Sequence, residues 1–124
     1  AAVADYKPEV EAEQKIKKKT DQFTLNLVPT QDILAYMGAH KKKQYLLGFA
    51  LETENELDNA KEKLERKNLD GVVLNSLQDS GAGFSVSTNK ITFIHADKSI
   101  QTFPLQSKYA CAQAIFDQIL PHDT

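Results

Sequence analysis

The chain has 124 residues, of which 41% are hydrophobic and 26% charged, and its formal net charge is -2 at pH 7. Such values are typical of one globular domain and exclude disordered, fibrous and membrane classes. The nearly balanced charge favours neither nucleic acid nor an anionic membrane as a partner, so any anion binding must be local. Cys111 cannot form an internal disulfide because it is the only cysteine. With no long apolar segment either, we expect a cytoplasmic protein.

The chain opens on the apolar run Ala1–Ala4, which is typical of a strand buried on both faces in a parallel sheet. We therefore expect a preceding part of the domain to be missing. The next segment has little apolar content and includes the basic run Lys15–Lys19, so we predict an exposed, mobile loop over about 7–20. Phe23–Val28 alternates apolar and polar residues, which predicts a half-buried strand that Pro29 ends.

A short helix and a strand are predicted next. Thr30 offers an N-cap, Asp32 places a carboxylate in the first turn and Gly38 supplies a C-terminal stop. The apolar run Tyr45–Leu51 has the length of a strand, so we expect it at the centre of the sheet. Gly48 interrupts this run, which indicates a close approach of another group to the backbone.

A second helix is predicted from Thr53 and Glu56, which match the S/T-x-x-E capping box. Its acidic start and basic end complement the helix dipole, and the pattern continues to about Asn68. The apolar stripe of this helix consists of Leu57, Ala60 and Leu64. Gly71–Asn75 then begins the next strand.

The last third of the chain contains short strands and a final helix. The strands are predicted over Phe84–Thr88, Ile91–His95 and Ile100–Phe103, and they indicate an antiparallel edge. Pro121 ends the final helix. Its predicted buried face consists of Tyr109, Ala112, Ile115, Phe116 and Ile119. The whole pattern predicts an α/β domain lacking its N-terminal part, with a Rossmann-like open sheet, parallel core strands, helices on its faces and an antiparallel edge.

Polar and aromatic residues are predicted at the carboxyl ends of the strands, where open α/β sheets bind ligands. Asp5, Phe49 and Asn75 would there combine a carboxylate, an aromatic ring and an amide, which suit a base and a sugar. The alternative is that Phe49 belongs to the core and that Asp5 and Asn75 cap neighbouring turns.

Two groups of lysines are candidates for anion binding. Lys63 and Lys67 are four residues apart on the second helix, where like charges cost roughly a few tenths of a kcal/mol that an anionic ligand would offset. Alternatively, their stems cover apolar surface and their charges favour the helix C-terminus. The run Lys15–Lys19 fits a phosphate-binding flap, a nucleic-acid patch or a solvated loop, and the acidic total and the lack of interleaved aromatic residues disfavour nucleic acid.

Several familiar site patterns are absent from the sequence, including the dinucleotide and Walker A glycine motifs. His40, His95 and His122 have no partner at metal-ligand spacing, so we expect surface or loop histidines and no protein-held metal. Cys111 is expected to be a small buried hydrophobic residue.

Five short motifs occur in the order and spacing of one known family. They are Ala-Ala-Val-Ala-Asp-Tyr at 1–6, Lys-Ile-Lys-Lys at 15–18, Asp-Ile-Leu-Ala at 32–35, Gly-Phe-Ala-Leu-Glu-Thr at 48–53 and Lys-Leu-Glu-Arg-Lys-Asn-Leu-Asp at 63–70. Together they resemble the C-terminal half of the phosphopantothenoylcysteine synthetase family over almost the whole chain. In bacteria this synthetase is commonly fused behind an FMN-dependent decarboxylase in a bifunctional coenzyme A biosynthesis protein.

The resemblance implies a CTP-dependent ligase that joins 4′-phosphopantothenate to cysteine through an acyl-cytidylate. It also implies Mg²⁺ accompanying CTP, FMN confined to a fused decarboxylase, and a homodimer. Lys15 would be catalytic, as part of a flap that closes over the intermediate. The implied nucleotide contacts are Asp5, Lys15, Gln31, Asp32, Ile33, Leu34, Phe49, Lys63 and Lys67.

The chain also departs from the family pattern. Gln31 stands where the family often has proline, and Ser76 follows Asn75 where the family often has aspartate. The family's N-terminal half carries a glycine-rich phosphate-binding stretch and residues that form the acyl-cytidylate, so we expect the present chain to be inactive alone. The alternative function is a non-catalytic nucleotide-binding or dimerisation module of the same fold.

Overall fold

The computed structural model describes residues 3–76 and 87–121. The chain divides into two compact units, Ala1–Ile33 and Leu34–Thr124, and each is described by itself. Within the described residues, no helix combines the length and apolar character needed to cross a membrane.

The first unit is built on a pair of antiparallel strands, β1 (Tyr6–Pro8) and β2 (Leu27–Pro29), with Tyr6 opposite Pro29. Thr30 closes the base of this pair, because its backbone N–H donates to Asp5 O at 2.8 Å and its Oγ1 to Ala4 O at 2.6 Å. Thr30 is therefore not the N-cap that the sequence predicted.

Two predictions for this unit are wrong. Val3 and Ala4, the described part of the predicted opening strand, are exposed and lie outside any strand. The predicted strand Phe23–Val28 is reduced to its last two residues within β2, and the Phe23 side chain is 71% exposed. All residues of β1 and β2 except the half-buried Val28 are exposed, so period-two alternation does not imply burial here.

The second unit is a mixed α/β arrangement whose elements alternate along the chain. They are α1 (Ile33–His40), β3 (Leu47–Glu52), α2 (Glu56–Arg66), β4 (Gly71–Ser76), β5 (Thr88–Asn89), β6 (Ile91–His95), β7 (Ile100–Thr102), β8 (Gln106–Ser107) and α3 (Lys108–Ile119). The main sheet has the order β3-β4-β6-β7, with β3 and β4 parallel and the other pairs antiparallel. Strands β5 and β8 form a separate antiparallel pair.

The core of this unit lies on both faces of β4, because successive side chains of a strand point to opposite sides. Val72 and Leu74 pack in one buried cluster with Ala60 and Leu64 of α2. Val73 packs on the other face, in a second cluster. That cluster also contains Ile91, Phe93 and Cys111, with Leu47, Phe103, Ile115 and Ile119 against it.

Helix α3 buries only part of the predicted stripe, since Ile115 and Ile119 pack against the core as predicted. Cys111 is 5% exposed, as expected for a small buried hydrophobic residue, and Ile115 and Ile119 follow it at four-residue spacing. Tyr109 and Phe116 are 75% and 59% exposed, so their predicted burial is wrong. Ala112, which was also predicted to be buried, is exposed.

The ends of the first two helices differ from the predicted ends. Helix α2 begins after Asn55, which has left-handed dihedral angles (φ 47, ψ 43) and makes no side-chain capping bond, so the predicted capping box at Thr53 is wrong. Helix α2 also ends at Arg66, and Leu57 remains 42% exposed. Asp32 precedes the first residue of α1 and is not in its first turn.

Gly38 lies inside α1 and does not end it. A Cβ atom at this position would lie 1.8 Å from the backbone oxygen of Lys67. The Asn68 Nδ2 group donates to Gly38 O at 2.8 Å across the same contact. Gly38 therefore lets α1 approach the C-terminal end of α2 closely.

Strand β3 lies at one edge of the described sheet, so its predicted central position is wrong. Its side chains alternate between buried and exposed along Leu47–Glu52. Gly48 marks a close approach, as predicted, because an added Cβ would lie 2.6 Å from Leu69 Cδ1. Most of the predicted strand Phe84–Thr88 lies outside the described residues, and Thr88 begins β5.

Candidate functional site

The structure brings two predicted nucleotide-binding residues of the second unit together. Helix α2 follows β3 and packs back along it, so the last turn of α2 passes beside the middle of the strand. The Lys63 ammonium donates a hydrogen bond to the backbone oxygen of Phe49 at 2.6 Å. The Phe49 side chain is 62% exposed, so the alternative that it belongs to the core is wrong.

Lys67 lies one turn beyond Lys63, at the C-cap of α2. Its backbone N–H donates to Lys63 O at 3.0 Å, which continues the helical spacing of the two lysines. Both side chains are half-buried. Positive charge at this end of α2 complements the helix dipole whether or not an anion binds.

A polar stripe borders β3 along α2, formed by Asn59, Lys63 and Lys67 at four-residue spacing. The Asn59 Nδ2 group donates to Glu54 O at 3.0 Å and lies 3.4 Å from Glu52 Oε2. The stripe therefore contacts the strand at more than one place. The sequence reasoning identified the lysines but missed Asn59, although its spacing from Lys63 beside the buried positions of α2 carried the signal.

Asn75 lies on β4 opposite Leu51 of β3. Because Phe49 pairs with Val73, Phe49 and Asn75 project from the same face of the sheet. The Asn75 Oδ1 atom is buried and has no hydrogen-bond partner in the part of the chain that the structure describes. The sequence predicted Phe49 at the carboxyl end of its strand. In the structure β3 continues for three residues beyond Phe49, so this residue lies near the middle of the strand.

The remaining predicted contacts begin in the first unit. The Asp5 carbonyl oxygen accepts the Thr30 hydrogen bond, and Lys15 is exposed in the segment between β1 and β2. The same segment holds a cavity of about 700 Å³ with basic and apolar walls. Its lining residues are Ile16, Lys17, Lys18, Lys19, Thr20, Gln22 and Phe23. The basic run is thus exposed, as the sequence predicted.

The predicted stretch Gln31–Leu34 leads into α1. Gln31 and Asp32 are exposed and precede the helix, and Ile33, its first residue, is 49% exposed. Leu34 belongs to the second unit and packs against its core cluster. A contact from Leu34 to a ligand would therefore involve its backbone more readily than its side chain.

The two histidines in the described part of the chain lie in different surroundings. Among the residues that the structure describes, no group of at least three His, Cys, Asp or Glu side chains could hold a metal ion. His40 is exposed and stacks on Tyr36 with ring centroids 4.1 Å apart. His95 is half-buried at the end of β6, where its Nε2 lies 3.0 Å from Gln118 Oε1, so it is not a loop residue. His122 lies outside the described residues.

Burial and hydrogen bonding shift the pKa values of three groups, Tyr45, Asp97 and Cys111. Burial, and secondarily the charge of Asp70, raises the pKa of Tyr45. Burial also raises the pKa of the Cys111 thiol. The hydrogen bonds from Ser99 lower the pKa of the Asp97 carboxyl.

The parallel β3-α2-β4 unit and the antiparallel strands beyond it define an open, mixed α/β domain of the Rossmann-like class. The family model for the DNA/pantothenate metabolism flavoprotein C-terminal domain matches residues 1–122. The chain belongs to this family.

Individual relatives agree with this assignment. Over 121 residues the chain is 50% identical to a cysteine/cysteine sulfinic acid decarboxylase from an unknown prokaryotic organism, covering 97% of the chain and 34% of the relative. Over 119 residues it is 40% identical to the coenzyme A biosynthesis bifunctional protein CoaBC of Bacillus subtilis (strain 168), covering 96% and 29%. The chain thus spans about a third of the length of these relatives.

A crystal structure of the C-terminal domain of a coenzyme A biosynthesis bifunctional protein CoaBC has the same fold. It matches with a TM-score of 0.72 and 34% identity, over 96% of this chain and 50% of that one. The predicted resemblance and the predicted α/β fold class are therefore confirmed.

Proposed function

We propose that this chain is the C-terminal portion of a single CTP-binding synthetase domain. In the whole protein it would help to join 4′-phosphopantothenate to cysteine during coenzyme A biosynthesis. One observation carries the proposal: the Lys63 ammonium lies against the exposed Phe49 position of β3, in a chain 40% identical to CoaBC. This arrangement places a cation at the backbone of the strand that carries the exposed aromatic ring.

The proposed reaction has two steps. The phosphopantothenate carboxylate attacks the α-phosphate of CTP and releases pyrophosphate, leaving an acyl-cytidylate. The cysteine amine then attacks the acyl carbonyl, and CMP leaves. Such chemistry depends mainly on positioning the reactants and on neutralising negative charge, which are roles that flexible lysines can fill.

We assign these roles to the predicted residues. Lys63 and Lys67 would neutralise the phosphates, and Phe49 would border the nucleotide. Lys15 would act from the exposed segment between β1 and β2, which suits a flap that excludes water during the second step. The other proposed nucleotide contacts are Asp5, Gln31, Asp32, Ile33 and Leu34.

The cofactors and partners follow from the same proposal. Mg²⁺ is usually held by one or two carboxylates together with substrate phosphates, so it would arrive with CTP and need no protein cage. FMN would belong to a decarboxylase domain of the whole protein. We also propose that the whole protein is a cytoplasmic homodimer. Ligation would need the further sequence that is present in the relatives.

A second candidate is a non-catalytic nucleotide-binding or dimerisation module. The relative at 50% identity favours it, because that protein is named for a decarboxylation and its name mentions no ligase. Such a module would keep the fold and the lysines of α2 but perform no ligation.

Calorimetric titration with CTP and Mg²⁺ tests nucleotide binding. The titration compares this chain, a chain extended upstream through the remaining synthetase sequence, and the Lys63→Ala variant of each. Lys61→Ala is the matched control, because it removes the same charge from the same helix at a position that does not face Lys63. The proposal predicts binding that Lys63→Ala weakens and Lys61→Ala leaves unchanged. Folded proteins that do not bind CTP would refute it.

Release of pyrophosphate separates the two candidates. The extended chain, given CTP, Mg²⁺ and 4′-phosphopantothenate, should release pyrophosphate if it is a ligase. Binding of CTP without any release would favour the module. Turnover by the present chain alone would contradict the proposal that ligation needs further sequence.

A further inference from the structure

We propose that the backbone carbonyl of Phe49 is a resting partner of the Lys63 ammonium, and that a nucleotide phosphate replaces the carbonyl as the acceptor of this hydrogen bond. This inference rests on the proposed function for the identity of the ligand. It adds a step to that function: binding of the phosphate would change the hydrogen bonding of strand β3.

The resting contact is a charge-assisted hydrogen bond. The Lys63 ammonium and the Phe49 oxygen are 2.6 Å apart, slightly closer than the range of about 2.7–3.2 Å that is usual for a nitrogen donor and an oxygen acceptor. Phe49 belongs to an edge strand of the described sheet, and in such a strand alternate carbonyl groups point away from the neighbouring strand. Lys63 gives the Phe49 carbonyl oxygen a charged donor from outside the sheet.

Exchange is favoured by the chemistry of the two acceptors. A phosphate oxygen carries negative charge and accepts a hydrogen bond from an ammonium more strongly than a neutral carbonyl does. The half-buried lysine has a flexible four-carbon stem and three donors, so it can reach a new acceptor without moving α2.

The two residues are well placed for a direct measurement. The dipeptide Phe49–Ala50 is the only Phe-Ala pair in the sequence. A chain labelled with carbonyl-¹³C phenylalanine and ¹⁵N alanine therefore gives one cross peak in a carbonyl-amide correlation spectrum. Its carbon shift reports the hydrogen bonding of the Phe49 oxygen alone.

The first comparison uses no ligand. Lys63→Met should move the Phe49 carbon signal upfield, because the carbonyl loses its donor, whereas Lys61→Met should leave the signal in place. If Lys63→Met does not move the signal while the remaining spectrum shows a folded protein, the resting contact is refuted.

The second comparison adds ligands to the unmodified chain. CTP with Mg²⁺ should move the signal in the same direction as Lys63→Met, whereas cytidine, which has no phosphate, should not. In Lys63→Met the affinity for CTP should fall about ten-fold to a hundred-fold, the range expected for a lost hydrogen bond to a charged group.

The outcomes separate the two proposals. If CTP binds by calorimetry and the Phe49 signal stays unchanged, the exchange is refuted and the proposed function stands. If CTP does not bind although Lys63→Met moves the signal, the proposed function fails and the exchange fails with it. In that case the resting hydrogen bond alone remains established.

Discussion

Replacing Gly38 with alanine tests the contact between α1 and the end of α2. The new Cβ would lie 1.8 Å from the backbone oxygen of Lys67 and 2.9 Å from the carbonyl carbon of the same residue. An ordinary contact begins near 3.4 Å, so the two backbones must separate by more than an ångström. Neither atom belongs to a flexible side chain that could move away.

The expected loss of stability combines three effects. Overpacking a buried contact costs about 1–3 kcal/mol. Separating the helices also weakens the hydrogen bond from Asn68 to Gly38 O, which is worth about 0.5–1.5 kcal/mol. Alanine has the better helix propensity by about 0.5–1 kcal/mol and offsets part of this loss. We therefore expect Gly38→Ala to lower the free energy of unfolding by about 2 kcal/mol.

Urea unfolding followed by circular dichroism measures this change. With a slope of about 1–3 kcal/mol per molar urea, the midpoint should fall by about 1 M. Ala39→Gly, at an exposed position of the same helix, measures the propensity effect alone and should cost about 0.5–1 kcal/mol. Gly48→Ala should cost less than Gly38→Ala, because its Cβ meets the end of a side chain, Leu69 Cδ1. A Gly38→Ala variant as stable as the unmodified chain would refute the reasoning.

Three further predictions concern burial and charge. In urea unfolding, Phe93→Ala should lower the free energy of unfolding by about 3–5 kcal/mol because Phe93 is fully buried. The matched variant Phe49→Ala should lower it by under about 1 kcal/mol because Phe49 is exposed, and similar losses would contradict these exposures. The Cys111 thiol should react with a thiol reagent much more slowly in the native chain than in urea, because it is buried and its pKa is raised; equal rates would show an accessible thiol. Because folding lowers the pKa of Asp97, the ionised carboxylate stabilises the folded state above the unfolded pKa, and this contribution is lost as pH falls through the folded pKa. In an NMR pH titration, Ser99→Ala should raise the pKa of Asp97, and an unchanged value would exclude the hydrogen bond from the Ser99 hydroxyl as the main cause.

The parallel unit at the centre of the second half was predictable from local patterns. The helix α2 and the strand β4 follow from their apolar spacing, and the strand β6 has the predicted bounds Ile91–His95. The family followed from motifs in register along the chain, and it is confirmed. The roles of the individual site residues stay predictions.

Other features depended on contacts between distant parts of the chain. Glycine is a common residue at helix ends, so the sequence predicted that Gly38 ends α1. In the structure Gly38 lies inside the helix, where the absence of a side chain lets the backbone of Lys67 pack against it. Threonine is a common N-cap residue, so the sequence predicted Thr53 as the N-cap of α2. In the structure the N-cap is Asn55, which has a left-handed conformation. Local sequence does not distinguish these cases, because the free energies involved are about 1 kcal/mol and tertiary packing easily exceeds them.

The candidate site also combines features that local sequence predicts with features that tertiary contacts decide. The sequence by itself determined that Lys63 and Lys67 lie on one side of a helix, because residues four positions apart are neighbours on a helix surface. Only the tertiary structure decided that Phe49 is exposed and that its carbonyl accepts the Lys63 hydrogen bond. These facts follow from the position of β3 at the sheet edge and from the way α2 packs along it. Edge position and packing are properties of the whole sheet, so neither can be read from a segment in isolation.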